Sequence, residues 1–286
     1  MAKKGRKPTY RLRIFAAFHG REYVTRLFIN HIKWLREQSD LPLPITAVCS
    51  DEADWLLLND LLDAPGDKLV QAPNYPVSQK HNIGMQALLS HATETHVLHL
   101  GSDDLISLEF LERIHAERPD YAGLNGCHFA DLKTHKAVFY KYYRNDIIGA
   151  GRVMSIEMLR QTIGSVYICR RPYYGWKVRD EVHIPDRLAD AFCKRGVLMP
   201  SMSDEAKRCA MWPGAIDKGL DNLSNSTLRD LGFTPEIWEA EADRVDLVDL
   251  KSFENITSFE RISHQSDAVA VDYTELVEKI TPYETR

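Results

Sequence analysis

The stretch His96-Val-Leu-His-Leu-Gly-Ser-Asp-Asp104 decides the fold. Residues 96–100 form a short apolar run of strand length. The run stops at Gly101-Ser102-Asp103-Asp104, so a buried strand is expected to end in two adjacent carboxylates. In an open α/β sheet, ligands bind beyond the carboxyl ends of the strands. Neighbouring carboxylates there repel each other unless a cation neutralises them. Hard oxygen ligands suit Mg²⁺ or Mn²⁺, which in turn hold phosphates. The competing role for Asp103 or Asp104 is the N-cap of a helix expected over 105–117.

Working backwards from this strand, the pattern alternates. Residues 11–18 read as a first strand. Val24, Leu27, Phe28, Ile32 and Leu35 then recur at helical spacing within 21–38. A second strand over 45–49, a helix over 52–62, a turn at Pro65-Gly66, a third strand over 68–71 and a helix over 78–91 follow. Such alternation argues for parallel β-α-β units. Working forwards, 121–144 is rich in aromatics and β-formers and reads as antiparallel strands. Residues 153–162 and 185–195 read as helices. Residues 197–286 lack strong periodicity, with brief helices expected near 226–231, 235–243 and 272–280. The expected organisation is a basic arm (1–10), a nucleotide-binding half (11–115), an acceptor half of the same domain (116–200) and a C-terminal extension (201–286).

The composition is that of an ordinary globular protein, with 27% charged and 44% hydrophobic residues over 286 positions. It excludes a collagen-like chain, a coiled coil and a largely disordered one. No apolar run approaches the roughly 18 residues of a membrane span. Five cysteines, widely spaced and without a Cys-x-x-Cys pair, argue against a disulfide framework or zinc ribbon and fit a reducing cytoplasm, a host's if the protein is viral. The first residues lack the apolar core of a secretion signal. The net charge of −5 is unevenly spread: residues 1–13 carry six basic residues and no acid, whereas 235–286 carry 13 acids against five bases. A basic arm of this kind either contacts phosphates or is a solvated terminus.

The acidic pair has company. The first strand runs into Phe18-His19-Gly20-Arg21-Glu22, and the second into Cys49-Ser50-Asp51. Both ends are expected on the rim that carries Asp104. Phe18 is suited to stacking on a base, and Asp51 to accepting hydrogen bonds from a base or ribose. Ser78-Gln-Lys80-His81-Asn82-Ile-Gly84 puts Lys80 and His81 at a helix start, where positive charge and the helix dipole attract an anion. The plainer roles are a surface helix residue for His81 and a turn former for Asp51.

Taken in order and spacing, these segments resemble the family 2 glycosyltransferases of the GT-A fold. Phe18-His19-Gly20-Arg21-Glu22 stands where that family has Tyr-Asn-Arg-Pro-Glu. Asp51 matches the aspartate that contacts uracil, Asn74 to Gly84 is similar to Asn-x-Gly-x-Ser-x-Ala-Arg-Asn-x-Gly, and Gly101-Ser102-Asp103-Asp104 is similar to Asp-x-Asp-Asp. The likeness covers residues 11–115 and continues weakly through Gly149 to Met154 and Pro185-Asp186 to Gly196. It implies a GT-A α/β fold with a mostly parallel central sheet, flanking helices and an irregular, partly helical C-terminal region. It also implies an inverting single displacement from a nucleotide-sugar donor, a UDP-sugar by preference. Donor binding would fall to Phe18, His19, Arg21, Asp51, Lys80, His81, Asn82 and Asp103. Asp104 with Asp103 would hold Mn²⁺ or Mg²⁺, and Asp186 would be the catalytic base. The plainer role of Asp186 is a helix N-cap, and Asp180, Glu181 and Asp190 are rivals for the base. This chain departs from the family at three points. His81 stands for arginine, Gly101 for the first motif carboxylate, leaving Asp104 the main ligand, and Pro185 for a glutamate.

Two stretches combine cations with rings: 136–144 and 170–179, the latter with Arg170, Arg171, Tyr173, Tyr174, Trp176 and Arg179. Aromatic faces stack on bases or sugars, and Arg and Lys hold phosphates. With the basic arm, they point to a hydroxymethylated pyrimidine in DNA as acceptor, which in a duplex would have to be flipped out. A half-buried sheet face explains the same tyrosines, and a surface glycan or lipid-linked oligosaccharide is the alternative acceptor. A non-catalytic nucleic-acid-binding module and a nucleotidyltransferase are the remaining readings. The latter usually carries a Gly-rich loop after its first strand, where Ala17 to Glu22 holds one glycine.

Overall fold

The computed structural model describes residues 10–74, 77–142, 146–163, 225, 228–229, 232–252 and 258–281. Strand β1 (Leu12–Ala17) lies between β2 (Ile45–Cys49) and β4 (His96–Gly101) and pairs with both in parallel. β3 (Lys68–Gln71) extends the parallel run beyond β2. Ala17 is level with Val48 on one side and with Gly101 on the other. The carboxyl ends of three strands therefore open onto one rim.

The helices follow from the same alternation. α1 (Glu22–Ser39) buries Val24, Leu27, Phe28, Ile32 and Leu35, the stripe its spacing predicts. α2 (Glu52–Leu61) and α3 (Val77–His91) complete the crossovers. Strand side chains alternate between faces. Ile14, Ala16 and Phe18 pack into one cluster with Phe28 and Ile32 of α1. Phe15 packs into another with Met85 and Leu88 of α3. Gly84 lets α3 lie against the sheet, because a Cβ there would come within 2.1 Å of Val48 Cγ2 and 2.8 Å of Phe15 Cε2.

Beyond Gly101 the chain departs from the simple alternation. Residues 104–106 form a short strand, β5, and Ser107 caps the helix α4 (Leu108–Glu117) by accepting from the Phe110 N–H. The expected helix over 105–117 thus starts three residues late, and neither Asp103 nor Asp104 caps it. β6 (Tyr121–Leu124) joins the large sheet. β7 (Gly126–Asp131) and β8 (Lys136–Lys141) form an antiparallel pair. β9 (Arg152–Ser155) inserts antiparallel between β4 and β6 before α5 (Ile156–Ile163), so the helix expected at 153 starts at 156. The helix expected over 185–195 lies outside the described residues.

Among the described residues the C-terminal part is helical at 225 and 228–229, where a brief helix is expected, and in α6 (Phe259–Ser263) and α7 (Tyr273–Ile280), and it also supplies three strands. β10 (Glu236–Trp238) replaces the helix expected over 235–243. It pairs in parallel with β6, and Trp238 is buried edge-on to Phe110 with the Arg113 guanidinium 4.4 Å from its ring centre. β11 (Leu247–Lys251) lies between β5 and β7, and β12 (Val269–Val271) borders β8. Among the described residues the sheets run β10-β6-β9-β4-β1-β2-β3 and β12-β8-β7-β11-β5. This is an α/β architecture with a mostly parallel central sheet, flanking helices and a second, smaller sheet beside the rim. No described helix is long and apolar enough to cross a membrane.

Candidate functional site

The turn from Phe18 to Arg21 organises the rim. Gly20 makes it possible by adopting φ +63°, the left-handed region that costs glycine least. Two buried groups grip the turn. Lys80 Nζ donates to the Phe18 carbonyl and, at 3.3 Å, to Asn74 Oδ1. The Asp54 carboxylate accepts from the Gly20 N–H at 3.0 and 3.1 Å. Burial pulls the Lys80 pKa down to about 8, opposed by nearby Asp54. Burial likewise raises Asp54 above the usual carboxylate range, against the Gly20 N–H.

From this clamped turn, two side chains reach in different directions. His19 points to the end of β2, where its Nδ1 lies 3.2 Å from Asp51 Oδ2. Asp51 also caps α2, its Oδ1 accepting from the Asp54 N–H at 2.8 Å. That backbone bond is the main cause holding the Asp51 carboxyl below its ordinary pKa, and His19 adds to it. Arg21 points the other way. It donates to Asp103 Oδ2 and to Ser102 Oγ, each at 2.7 Å.

At that second end three carboxylates converge. One oxygen from each of Asp103, Asp104 and Asp249 lies within 4.8 Å of the other two. Asp249 sits on β11, directly opposite Asp104 of β5. The Leu250 N–H donates to the Asp103 carbonyl at 2.8 Å and fixes the two segments together. Asp104 folds back to accept from the Gly101 N–H. Burial pushes its carboxyl well above the usual range, and Asp249 and Asp103 push it further. Burial also raises Asp249, to about 6, although Lys251 donates to its Oδ2 at 2.6 Å. Asp249 Oδ1 is buried and accepts no hydrogen bond among the described residues.

These features fit a divalent cation. Three hard oxygens are gathered, and one buried acceptor is left unsatisfied. Burial first, and then repulsion from neighbouring carboxylates, raises the Asp104 and Asp249 carboxyls, and a bound dication would oppose both effects. Gly101 belongs to the same design. A Cβ there would meet Asp103 Oδ1 at 2.8 Å and Asp104 Oδ2 at 2.9 Å, so a side chain at this position would have to displace these two carboxylates. The third carboxylate comes instead from Asp249, which sequence reading missed. Its only signal was the β-forming run Leu247-Val-Asp-Leu-Lys251 in an otherwise aperiodic region.

The other expected residues divide. His19, Arg21, Asp51, Asp103 and Asp104 lie along the rim. Phe18 does not present a ring for stacking: it is fully buried, edge-on to Phe28 at 5.5 Å. The His81 ring packs against Phe15 and His99, so the side chain is half-buried rather than free on the helix surface, and burial lowers its pKa to about 3. Asn82 is buried as well. Lys80 supports the turn from below rather than facing the rim. In the 136–144 stretch, β8 buries Val138 and Phe139, and Lys141 pairs with Glu239. Asp186, Arg170, Arg171, Tyr173, Tyr174, Trp176 and Arg179 lie outside the described residues, as do Asp180, Glu181, Asp190 and the basic arm 1–9.

No family model and no curated protein sequence matches the chain. Among solved structures it is similar to 4-diphosphocytidyl-2C-methyl-D-erythritol synthase from Anaerococcus prevotii, at 11% identity over 97% of this chain and 100% of that one, with a TM-score of 0.45. It is also similar to the catalytic domain of Drosophila β1,4-galactosyltransferase 7, at 11% identity over 95% and 80% of the two chains, with a TM-score of 0.43. A third is S. aureus TarS 1–349, at 9% identity over 84% and 60%, with a TM-score of 0.39. The functional reading therefore rests on the site itself.

Proposed function

We propose that this chain is a metal-dependent glycosyltransferase that takes its sugar from a nucleotide-sugar donor. The observation that carries the reading is the layout of the rim. A polar His19–Asp51 pair and the Asp103–Asp104–Asp249 cluster sit at opposite ends of one clamped turn. A nucleoside diphosphate has the same two-ended chemistry, a base at one end and a dianionic diphosphate at the other.

Asp103, Asp104 and Asp249 would hold Mn²⁺ or Mg²⁺, which when bound neutralises charge on the leaving diphosphate. Arg21 keeps Asp103 in place and adds a cation beside the same anion. Lys251 does the same for Asp249. Lys80 and Asp54 hold the turn that carries His19 and Arg21. The acceptor hydroxyl attacks the anomeric carbon, the bond to the diphosphate breaks, and the hydroxyl proton passes to a carboxylate. Asp186 is our choice for that carboxylate, on the resemblance of its segment. The result would be inversion by a single displacement.

For the acceptor we keep a hydroxymethylated pyrimidine in DNA, supported by the basic arm and the 170–179 stretch. Of the 136–144 stretch, Val138 and Phe139 are packed inward and Lys141 is paired with Glu239, while Lys136 and Tyr142 stay exposed and 143–144 lie outside the described residues. The test is a panel of nucleotide sugars with Mn²⁺, with and without hydroxymethylated DNA. Release of nucleoside diphosphate that rises with the DNA supports both donor and acceptor. Release stimulated only by a lipid-linked or free oligosaccharide moves the acceptor to glycans. Release of pyrophosphate from a nucleoside triphosphate, with no diphosphate from any sugar donor, would make the chain a nucleotidyltransferase.

A further inference from the structure

The His19–Asp51 pair does more than mark the base end of the rim. Each Asp51 carboxylate oxygen already has a partner within the protein: Oδ1 accepts from the Asp54 N–H at 2.8 Å, and Oδ2 faces His19 Nδ1 at 3.2 Å. Asp54 lies near the same ring nitrogen at 3.9 Å, but both its oxygens are engaged by the Gly20 N–H. The His19 side chain is 54% exposed and that of Asp51 is 42% exposed. The imidazole is thus the outermost polar group of the pair, on a turn fastened from both sides by Lys80 and Asp54.

A carboxylate only accepts, so the ring nitrogen facing it must carry a hydrogen. In the neutral imidazole the proton then sits on Nδ1, and Nε2 is left as an acceptor. Nε2 has no protein partner among the described residues. An acceptor in that place is matched by a base with a ring N–H, such as the N3–H of uracil or the N1–H of guanine. Cytosine and adenine present a ring acceptor at the corresponding position and would set two lone pairs against each other.

We propose that His19 Nε2 reads the ring N–H of the donor's base, and that Asp51 acts on the base only through His19, by fixing its tautomer. His19 is then the residue that sets base specificity, and Asp51 is a positioning residue. The inference rests on the nucleotide-sugar reading above and gives it a base class: uridine- or guanosine-type donors over cytidine- or adenosine-type ones.

Asp51→Asn tests this without removing the helix cap. The amide oxygen introduced by the substitution can still accept from the Asp54 N–H, which turns the amide NH₂ toward His19. Nδ1 must then accept, Nε2 carries the proton, and the preference should invert. The measurement is calorimetric binding of UDP, GDP, CDP and ADP at pH 8 with Mn²⁺. The wild-type chain should bind the better of UDP and GDP about tenfold more tightly than CDP or ADP, the scale of one well-placed hydrogen bond. Methylating the ring N–H of that best nucleotide should lose the same factor. Asp51→Asn should reverse the order, and His19→Ala should level it while metal-dependent binding persists. Metal-dependent binding with no base preference, or a preference unchanged in both variants, overturns the His19 assignment alone. Failure of all four nucleotides to bind overturns the donor reading and this inference with it.

Discussion

Gly84→Ala sets two physical effects against each other with opposite signs. Helix propensity alone favours alanine by about 1 kcal/mol. Packing opposes it: the new methyl would stand 2.1 Å from Val48 Cγ2 and 2.8 Å from Phe15 Cε2, and both side chains are fully buried. Neither can swing aside, because Val48 is β-branched within β2 and Phe15 is enclosed by the α3 cluster. Overpacking of this kind costs about 1–3 kcal/mol, and the short distances place it near the top of that range. The net expectation is a loss of about 2 kcal/mol, or roughly 4–8 °C in melting temperature. Urea unfolding followed by circular dichroism reads it directly. A second consequence is local. If α3 lifts from the sheet, Lys80 is drawn away from the Phe18 carbonyl and the rim turn loosens, so nucleotide affinity should fall as well. A variant as stable as the parent, or more stable, would refute the close approach of α3 and with it the reason for a glycine at this point of the segment.

Acid should destabilise the protein through its buried histidines. Burial lowers His31 to about 4 and His81 to about 3, so the unfolded chain binds protons that the folded one refuses below the ordinary histidine pKa. Their contribution is complete above about pH 6.5 and is lost as pH falls toward 4. His31 alone accounts for about 3 kcal/mol, readable as a falling urea midpoint. Trp238→Ala should cost about 3–5 kcal/mol, because it empties a buried site against Phe110 and Arg113. A cost below 1 kcal/mol in the same unfolding assay would remove β10 from the large sheet. Asp186→Asn should leave donor binding intact and lower kcat by about 10²–10⁴. Unchanged turnover would pass the base role to Asp180, Glu181 or Asp190.

What was legible in the sequence follows from which residues face the core alone. β1, β2 and β4 are short apolar runs, and α1 shows an uninterrupted helical stripe, so their order and the shared rim could be read directly. Period two also places Ile14, Ala16 and Phe18 on one face, which sends Phe18 to the core beneath α1 instead of to a ligand. β11 was hidden because Asp249 and Lys251 break its apolar pattern, and they break it because they face the site. β10 was hidden because Glu236 to Ala240 contains good helix formers, and a tertiary pairing that buries Trp238 overrides them. The burial of His81 depends on how closely Gly84 lets α3 approach, a distance no local pattern carries.

The central claim is that Asp104 and Asp249, brought together from segments 145 positions apart in the chain, hold one cation at the diphosphate end of the rim. Its most direct test is Mn²⁺ binding, measured by titration of the purified chain beside Asp104→Asn and Asp249→Asn, with donor turnover followed in parallel as nucleoside diphosphate release. The account predicts saturable Mn²⁺ binding in the parent, loss of at least tenfold in affinity in each variant, and loss of turnover in step with it. Mn²⁺ binding and turnover unaltered in Asp249→Asn would contradict the three-carboxylate site, and turnover unaltered in Asp104→Asn would contradict the metal-dependent mechanism itself.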